Sequence, residues 1–421
     1  MSRFSGEERL IAHNNDFLPP GIQQITERVY FITGEVSNAV LIEGDDSCIL
    51  VDAMSSDLDA HGALAEVQKV TQKPISTVIY THTHPDHIGG AAVLAPNANQ
   101  VIARCPTVPI YGKSELIKDI GMVRGARQWG FGLSPEEAIN IGAAPFWTAS
   151  GKPAILAPTT LFNERQLELS LHGVDLVLIA ADGETDDQTF VWLPSEQVLC
   201  CGDNYYHSFP NMTPIRGGHF RNVSAWADSL DTILRLAPEY LLPGHTKPII
   251  GRKAIQEVVT SYRDAIRFLL EETLKGMNRG LTPDQLVEVV QLPPDLRELP
   301  QLQEYYGKVS WCVRGIFSGY LGWFDGNPTN LGFIPVKARA EKQLALAGGA
   351  EKVLAAAREA IENGDEQWAA ELCDMLLNAE RLISEAKAIK AKALTTLARL
   401  EVNACARHYY LCCAKELMGL R

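Results

Sequence analysis

Ile75-Ser-Thr-Val-Ile-Tyr80 runs without a break into Thr81-His82-Thr83-His84-Pro85-Asp86-His87-Ile88-Gly89-Gly90. The first six residues are β-branched and apolar and predict a strand. The next segment packs three histidines and an aspartate into six positions. Neutral imidazoles and a carboxylate are the donor set of Zn²⁺ or a similar divalent ion. On a turn after a strand, His82 and His84 can point one way while Asp86 and His87 point another. That arrangement suits two adjacent ions better than one. Gly89 and Gly90 permit close packing where the next helix begins. The bland alternative is a chance cluster of surface histidines. Three of the chain's ten histidines sit here beside an aspartate, which loop solvation does not require.

Around this segment lie 421 residues, enough for two or three domains. The chain is 46% hydrophobic and 21% charged, with mean hydropathy −0.04, the composition of a soluble globular protein. A net charge of −13 makes it a poor general binder of nucleic acid or anionic membrane. No apolar stretch approaches the roughly 18 residues of a membrane span. The start, MSRFSGEERLIAHNNDF, lacks the basic and apolar regions of a signal peptide. Nine cysteines, an odd number in a large chain, do not imply a disulfide framework. They read as small buried hydrophobes in a reducing cytoplasm.

Short strands are expected across VYFITGEVSNAVLIEGDDSCILVDAM, broken at Gly-Asp-Asp, as an antiparallel run. Ser56 to Gln72 reads as a helix with Leu58, Leu64, Val67 and Val70 near one face. Ala91 to Leu156 reads as a long covering loop with short helices. A second strand set is expected at Leu167–Leu171, Val174–Ala180, Thr189–Leu193 and Val198–Cys201. Arg252 to Gly276 is helical in pattern, and strand signals vanish beyond Thr282. Helices are expected near Lys352–Asn363, Glu366–Asn378, Leu382–Leu397 and Glu401–Met418. Their spacing is near that of tetratricopeptide units, without a clear sequence repeat.

The His82–His87 motif resembles the H-x-H-x-D-H signature of the metallo-β-lactamase superfamily, which implies an αββα sandwich. In that superfamily the remaining ligands come from later strand ends. Asp203, after Val198-Leu-Cys-Cys-Gly202, matches the bridging carboxylate. His245, in Leu241-Leu-Pro-Gly-His245, matches the second metal's last ligand. Most superfamily hydrolases place a histidine between the motif and the bridge. The candidate in that interval is His172, in a Leu171-His-Gly-Val hairpin turn, the wrong place. Glu184-Thr-Asp-Asp-Gln188 stands there instead.

In this respect the chain resembles the alkyl sulfatase branch, in which a glutamate of an E-A-P-A-E-like segment binds the first metal. A bridging glutamate follows nineteen residues later. Glu184 and Asp203 have that spacing, with aspartate in place of the branch's glutamate. Arg216-Gly-Gly-His-Phe-Arg221 is similar to the branch's R-G-A-x-x-R segment, which makes Arg216 the grip on the sulfate. Arg124-Gly-Ala-Arg-Gln-Trp-Gly-Phe-Gly132 resembles the segment covering the active site. Tyr305-Tyr-Gly307 and Gly319-Tyr-Leu-Gly-Trp-Phe-Asp-Gly-Asn-Pro-Thr-Asn-Leu331 resemble the dimerisation region. The likeness continues to the C-terminus, and the lipid-carrier-like domain of longer members is not expected here.

The resemblance implies a catalytic domain at 1–274 and a helical dimerisation domain at 275–421. It implies two Zn²⁺ per chain, held by His82, His84 and Glu184 and by Asp86, His87 and His245, with Asp203 between. The implied reaction is hydrolysis of an organic sulfate ester to alcohol and inorganic sulfate, in a homodimer. Asn211, Tyr306 and Trp311 are candidate substrate contacts beside Arg216. Asp86 is a candidate catalytic carboxylate, and His207 a candidate acid. Two departures lie near the expected leaving group. Pro210 stands where the branch often has histidine, and Trp311 stands where its Y-G-x-V-x-H pattern ends in histidine. A lactone, β-lactam, thioester or phosphodiester is the rival substrate for the same metal pair. His84 argues against the superfamily's diiron oxidoreductases, which carry glutamate there. A non-catalytic helical scaffold is the reading from another class, and an intact ligand set argues against it.

Overall fold

The computed structural model describes residues 3–105, 117–148 and 151–420. Two sheets form its first half. One carries, in sequence order, β1 Gly21–Gln24, β2 Val29–Thr33, β3 Asn38–Glu43, β4 Cys48–Val51, β5 Ile75–Ile79, β6 Gln100–Arg104 and β7 Thr160–Phe162. β1 to β4 are antiparallel neighbours, and β4 through β7 pair in parallel. The other comprises β8 Gln166–Leu171, β9 Val174–Ala180, β10 Thr189–Leu193, β11 Val198–Gly202, β12 Tyr240–Pro243 and β13 Ile249–Ile250, in the order β13-β12-β11-β10-β9-β8. Only β11 and β12 pair in parallel there.

Strand alternation sorts the side chains into layers. Phe31, Ile42, Val51, Ile79 and Ile102 face Leu176, Leu178, Val191 and Val198 between the sheets. The neighbours Ile32, Leu41, Leu50 and Val78 turn outward onto Ala60, Ala63 and Val67 of the Asp57–Val70 helix. On the far side, Phe190, Leu199 and Leu241 meet Trp226 and Ile233 of the Val223–Leu236 helix and Tyr262 and Ile266 of the Arg252–Asn278 helix. The result is the expected αββα sandwich. Because both faces of each sheet are covered, the central strands read as continuous apolar runs. Trp226 is fully buried; its truncation to alanine would cost about 3–5 kcal/mol.

The Asp57–Val70 helix corrects one expectation. Leu58 and Val70 are exposed, and the buried face is Ala60, Ala63 and Val67. Small residues let the helix lie close on the sheet. Asp59 is buried with them because its carboxylate accepts from the Glu35 N–H at 3.0 Å and the Ser55 hydroxyl at 3.0 Å. The 91–156 segment is also more ordered than expected. It holds β6 and the Lys118–Trp129 and Pro135–Ala138 helices. Its parts at 106–116 and 149–150 lie outside the described residues.

Beyond β13 the described chain forms helices joined by loops, with no further strand. Helices at Ala350–Asn363, Glu366–Asn378, Ile383–Leu400 and Ala404–Leu417 fall where expected. The Val336–Leu346 and Val309–Leu321 helices precede them. The Arg252–Asn278 helix runs through position 274/275. The core on the second sheet's outer face extends into Leu286, Val313, Ile316, Phe317 and Cys405. Among the described residues no helix is long and apolar enough to cross a membrane.

Candidate metal centre

The His82–His87 motif leaves the end of β5 on the rim of the sandwich. Pro85 opens a one-turn helix, Pro85–Ile88, and His84 before it is extended (φ −68°, ψ 145°), as the proline ring requires of its predecessor. This abrupt change of backbone separates His82 and His84 from Asp86 and His87. Two groups of donors result. His82, His84, Glu184 and Asp203 each offer one atom within 4.8 Å of the others, and Asp86, His87, Asp203 and His245 do the same. Asp203 is common to both.

His245 Nε2 lies 3.2 Å from Asp203 Oδ2 and 3.3 Å from Asp86 Oδ2. His87 Nε2 is 3.3 Å from Asp203 Oδ1 and 3.6 Å from Asp86 Oδ2. His87 Nε2 and Asp203 Oδ1 are buried, and neither makes a hydrogen bond. The outer nitrogens fix the tautomers. His245 Nδ1 faces the Val36 carbonyl at 2.7 Å, and His87 Nδ1 faces Asp52 Oδ2 at 2.9 Å. Both acceptors demand an N–H, so a neutral ring turns its Nε2 lone pair inward. Buried donors with converging lone pairs and externally fixed tautomers are what a divalent metal requires. The residues fit one.

Without a cation the cluster is balanced by protons. Burial disfavours charge on His245, but Asp203 and Asp86 outweigh it and raise its pKa to about 10. His87 is raised in the same way, against burial, by Asp203, Asp86 and Asp52. Burial opposes ionisation of Asp86, yet His87 and His245 hold it at about 2. His82 and His84 are lowered, chiefly by burial, and remain neutral, ready to bind. Burial pushes Glu184 up to about 8 even though Arg221 opposes it.

A surrounding layer holds these side chains. Asp52 accepts from the Thr81 N–H and hydroxyl, both at 2.7 Å, besides His87. Asp187 accepts from the Thr83 N–H at 3.1 Å and hydroxyl at 2.6 Å. Arg221 pairs with Glu184 Oε1 at 2.6 Å, and the Tyr206 hydroxyl donates to Glu184 Oε2. Asn38, opening β3, donates through Nδ2 to the carbonyls of Pro243 and Thr246 at 3.1 and 2.9 Å. This stitches the His245 loop of the second sheet to the first. Gly244 must lack a side chain: a Cβ there would lie 2.3 Å from Asp203 Oδ1 and 2.7 Å from the His87 ring.

The structure thus brings together His82, His84, Asp86, His87, Glu184, Asp203 and His245. Arg216 is half-buried, and its charge acts on His84. Its guanidinium donates to the Gly217 carbonyl at 3.2 Å, and no carboxylate among the described residues pairs with it. Asn211 is buried with Oδ1 unbonded. Tyr306 stacks on Trp129 at 6.0 Å and meets Tyr206 edge-on at 5.1 Å. His207 is turned elsewhere. Its Nδ1 is 3.2 Å from the Tyr205 hydroxyl, and the charges acting on it are Asp16, His13 and Lys247. Trp311 lies beneath the Lys308 ammonium, 5.9 Å from its ring centre. His172 does sit in the β8–β9 turn, bonded to Ser76 at 2.9 Å.

Family models match both halves: the metallo-β-lactamase superfamily at residues 32–245 and alkyl sulfatase dimerisation at 282–419. A linear primary-alkylsulfatase of Pseudomonas sp. is 35% identical over 393 residues, covering 90% of this chain and 74% of the relative. The chain belongs to the alkylsulfatase branch of the metallo-β-lactamase superfamily. An alkyl/aryl-sulfatase of Saccharomyces cerevisiae is 31% identical, and the chain spans 64% of its length. The solved structure of a stereoselective inverting sec-alkylsulfatase from Pseudomonas sp. superposes with a TM-score of 0.91 at 28% identity, covering 99% of this chain and 68% of that one.

Sequence reasoning missed three residues of this alkylsulfatase-type centre, Asp52, Asp187 and Tyr206, and gave Arg221 no role although its segment was singled out. Asp52 had a signal. A carboxylate directly after the apolar run Cys48-Ile-Leu-Val51, at a strand end, is buried and needs partners. Tyr206 had none, because loop geometry alone brings its hydroxyl to Glu184.

Proposed function

We propose that the chain is a dinuclear zinc alkylsulfatase that hydrolyses organic sulfate esters to alcohol and inorganic sulfate. The observation that carries this reading is the half-buried Arg216 guanidinium, unpaired with any described carboxylate, acting on His84 at the edge of the donor cluster. Its planar fork suits a tetrahedral oxyanion. The relatives are named for alkyl sulfate hydrolysis.

In this reading His82, His84 and Glu184 hold one ion, Asp86, His87 and His245 hold the other, and Asp203 lies between them. When bound, such ions supply a water-derived nucleophile near neutral pH and offset charge on the ester oxygens. The protein's own part is orientation. Arg216 grips the sulfate, with Tyr306, on which the Arg216 charge also acts, and Asn211 as further candidate contacts. The Val36 carbonyl, Asp52 and the Thr81 hydroxyl, which lies 3.0 Å from His82 Nδ1, hold His245, His87 and His82 in their binding tautomers. With water attacking carbon and the C–O bond breaking, sulfate leaves as the anion of a strong acid and needs no proton from His207.

The homodimer reading is supported by the exposed apolar side chains of the dimerisation region, with Trp323 77%, Phe333 81% and Leu346 90% accessible. None of the nine cysteines forms a disulfide, which suits a reducing cytoplasm.

The test is sulfate release by zinc-loaded protein from primary alkyl, secondary alkyl and aryl sulfates, beside neutral and phosphate esters. Release abolished by chelation and by His84→Ala is the expected result. Two ions per chain without sulfate release from any ester would overturn the reading.

A further inference from the structure

One buried cation serves two parts of the centre at once. Arg221 is 7% exposed. Its Nη1 lies 2.6 Å from Glu184 Oε1 and also donates to the Asn211 carbonyl at 2.6 Å. Glu184 is the carboxylate of the first donor group, where the other non-shared members are neutral imidazoles. Asn211 belongs to the loop that leaves Asp203 and carries Arg216. Arg221 sits at that loop's far end, just before the Val223–Leu236 helix and its Asn222 N-cap.

A carboxylate buried this deeply needs charge compensation and filled hydrogen-bonding positions. Arg221 and Tyr206 occupy one lone pair on each oxygen of Glu184. The remaining lone pairs stay available in a fixed orientation. With Arg221 beside it, Glu184 presents a directed oxygen without adding net negative charge to the group. The second bond of the same nitrogen closes the 211–221 loop on itself. A structural ion pair away from the site would have no reason to join a candidate ligand to the segment that carries the anion grip.

We propose that Arg221 is a positioning residue that couples the first metal position to the Arg216 loop through one guanidinium nitrogen. This rests on the metal-centre reading above. Removing Arg221 damages metal retention and loop order together, and lysine repairs only the first. An ammonium at that position restores charge beside Glu184, but it ends one bond short of Nη1 and lacks the rigid plane that holds that nitrogen on both acceptors.

The experiment compares wild type, Arg221→Gln and Arg221→Lys after dialysis against metal-free buffer. Bound zinc is counted by plasma mass spectrometry, and backbone hydrogen exchange is followed across 205–220. Wild type should retain two ions per chain. Arg221→Gln should fall to about one, with exchange in the loop at least tenfold faster. Arg221→Lys should return to two while loop exchange stays fast. If Arg221→Gln does not fold, the lysine variant decides alone: two ions with wild-type loop exchange overturns the coupling. Two ions and unchanged exchange in Arg221→Gln overturns it as well. A wild-type protein that binds no zinc would instead sink the metal-centre reading, a result separable from failure of the Arg221 role.

Discussion

Replacing Asp52 with asparagine should loosen one metal position without touching a ligand. Asp52 is 2% exposed and receives three donors. The Thr81 N–H reaches Oδ1, and the Thr81 hydroxyl and His87 Nδ1 reach Oδ2. An amide oxygen can serve only one of these sides. Its NH₂ must then oppose a donor on the other, leaving at least one buried donor unpaired. Losing a hydrogen bond to a charged acceptor costs roughly 1.5–3 kcal/mol, and a stranded buried donor adds about 1–3 kcal/mol. The expected loss of stability is therefore about 2.5–6 kcal/mol. His87 also loses the carboxylate that fixes its tautomer, which typically lowers metal affinity about 10- to 100-fold. Competition against a chromophoric chelator, with urea unfolding alongside, measures both. If Asp52→Asn binds both ions within twofold of wild type at unchanged urea midpoint, the reasoning about the supporting layer is wrong.

Arg216→Ala should lower kcat/KM for sulfate esters about 10- to 100-fold, the worth of a charge-assisted contact, while neutral esters change little; equal losses on a parallel panel would remove Arg216 from sulfate recognition. The metal-stripped protein should lose stability as pH rises. His245 at about 10 against its ordinary 6.5 contributes fully below pH 6.5 and is lost as pH rises through 10, and Glu184 at about 8 against 4.5 works in the same direction between those values. Calorimetry should show its Tm falling from pH 6 to 10, with a flatter profile once zinc replaces the protons. The double variant Trp323→Ser/Phe333→Ser should halve the mass seen by light scattering if the exposed apolar region joins two copies.

The strands around the centre were legible because burial on both faces writes apolar runs, as at Thr189–Leu193, and because alternation marks a half-covered strand, as at Val174–Ala180; both match to the residue. The seven converging donors were legible because strand ends place short motifs predictably and because the motif and its spacing resemble a known family. The layer behind them was not. Asn38 reaches the His245 loop across 208 positions, and Arg221 reaches Glu184 across 37, so no local period records either contact. His207 was misplaced for the same reason. Proximity to Asp203 in sequence says nothing about the turn at Tyr205-Tyr206, which sends the tyrosine rings into the core and the imidazole toward Asp16. Leu58 and Val70 show the converse error, in which apolar spacing suggests a face that small residues occupy instead.

The shared core on the outer face of the second sheet makes the two halves one solubility unit. Phe317, Ile316 and Leu286 lie in the same packed layer as Trp226 and Tyr262, and Asn403 donates to the carbonyls of Glu304, Tyr306 and Gly307. Neither part therefore has a finished surface of its own on this side. Cutting the helices away would strand Trp226, Tyr262 and their neighbours in water, so the sandwich and the helical half depend on each other for solubility as well as stability.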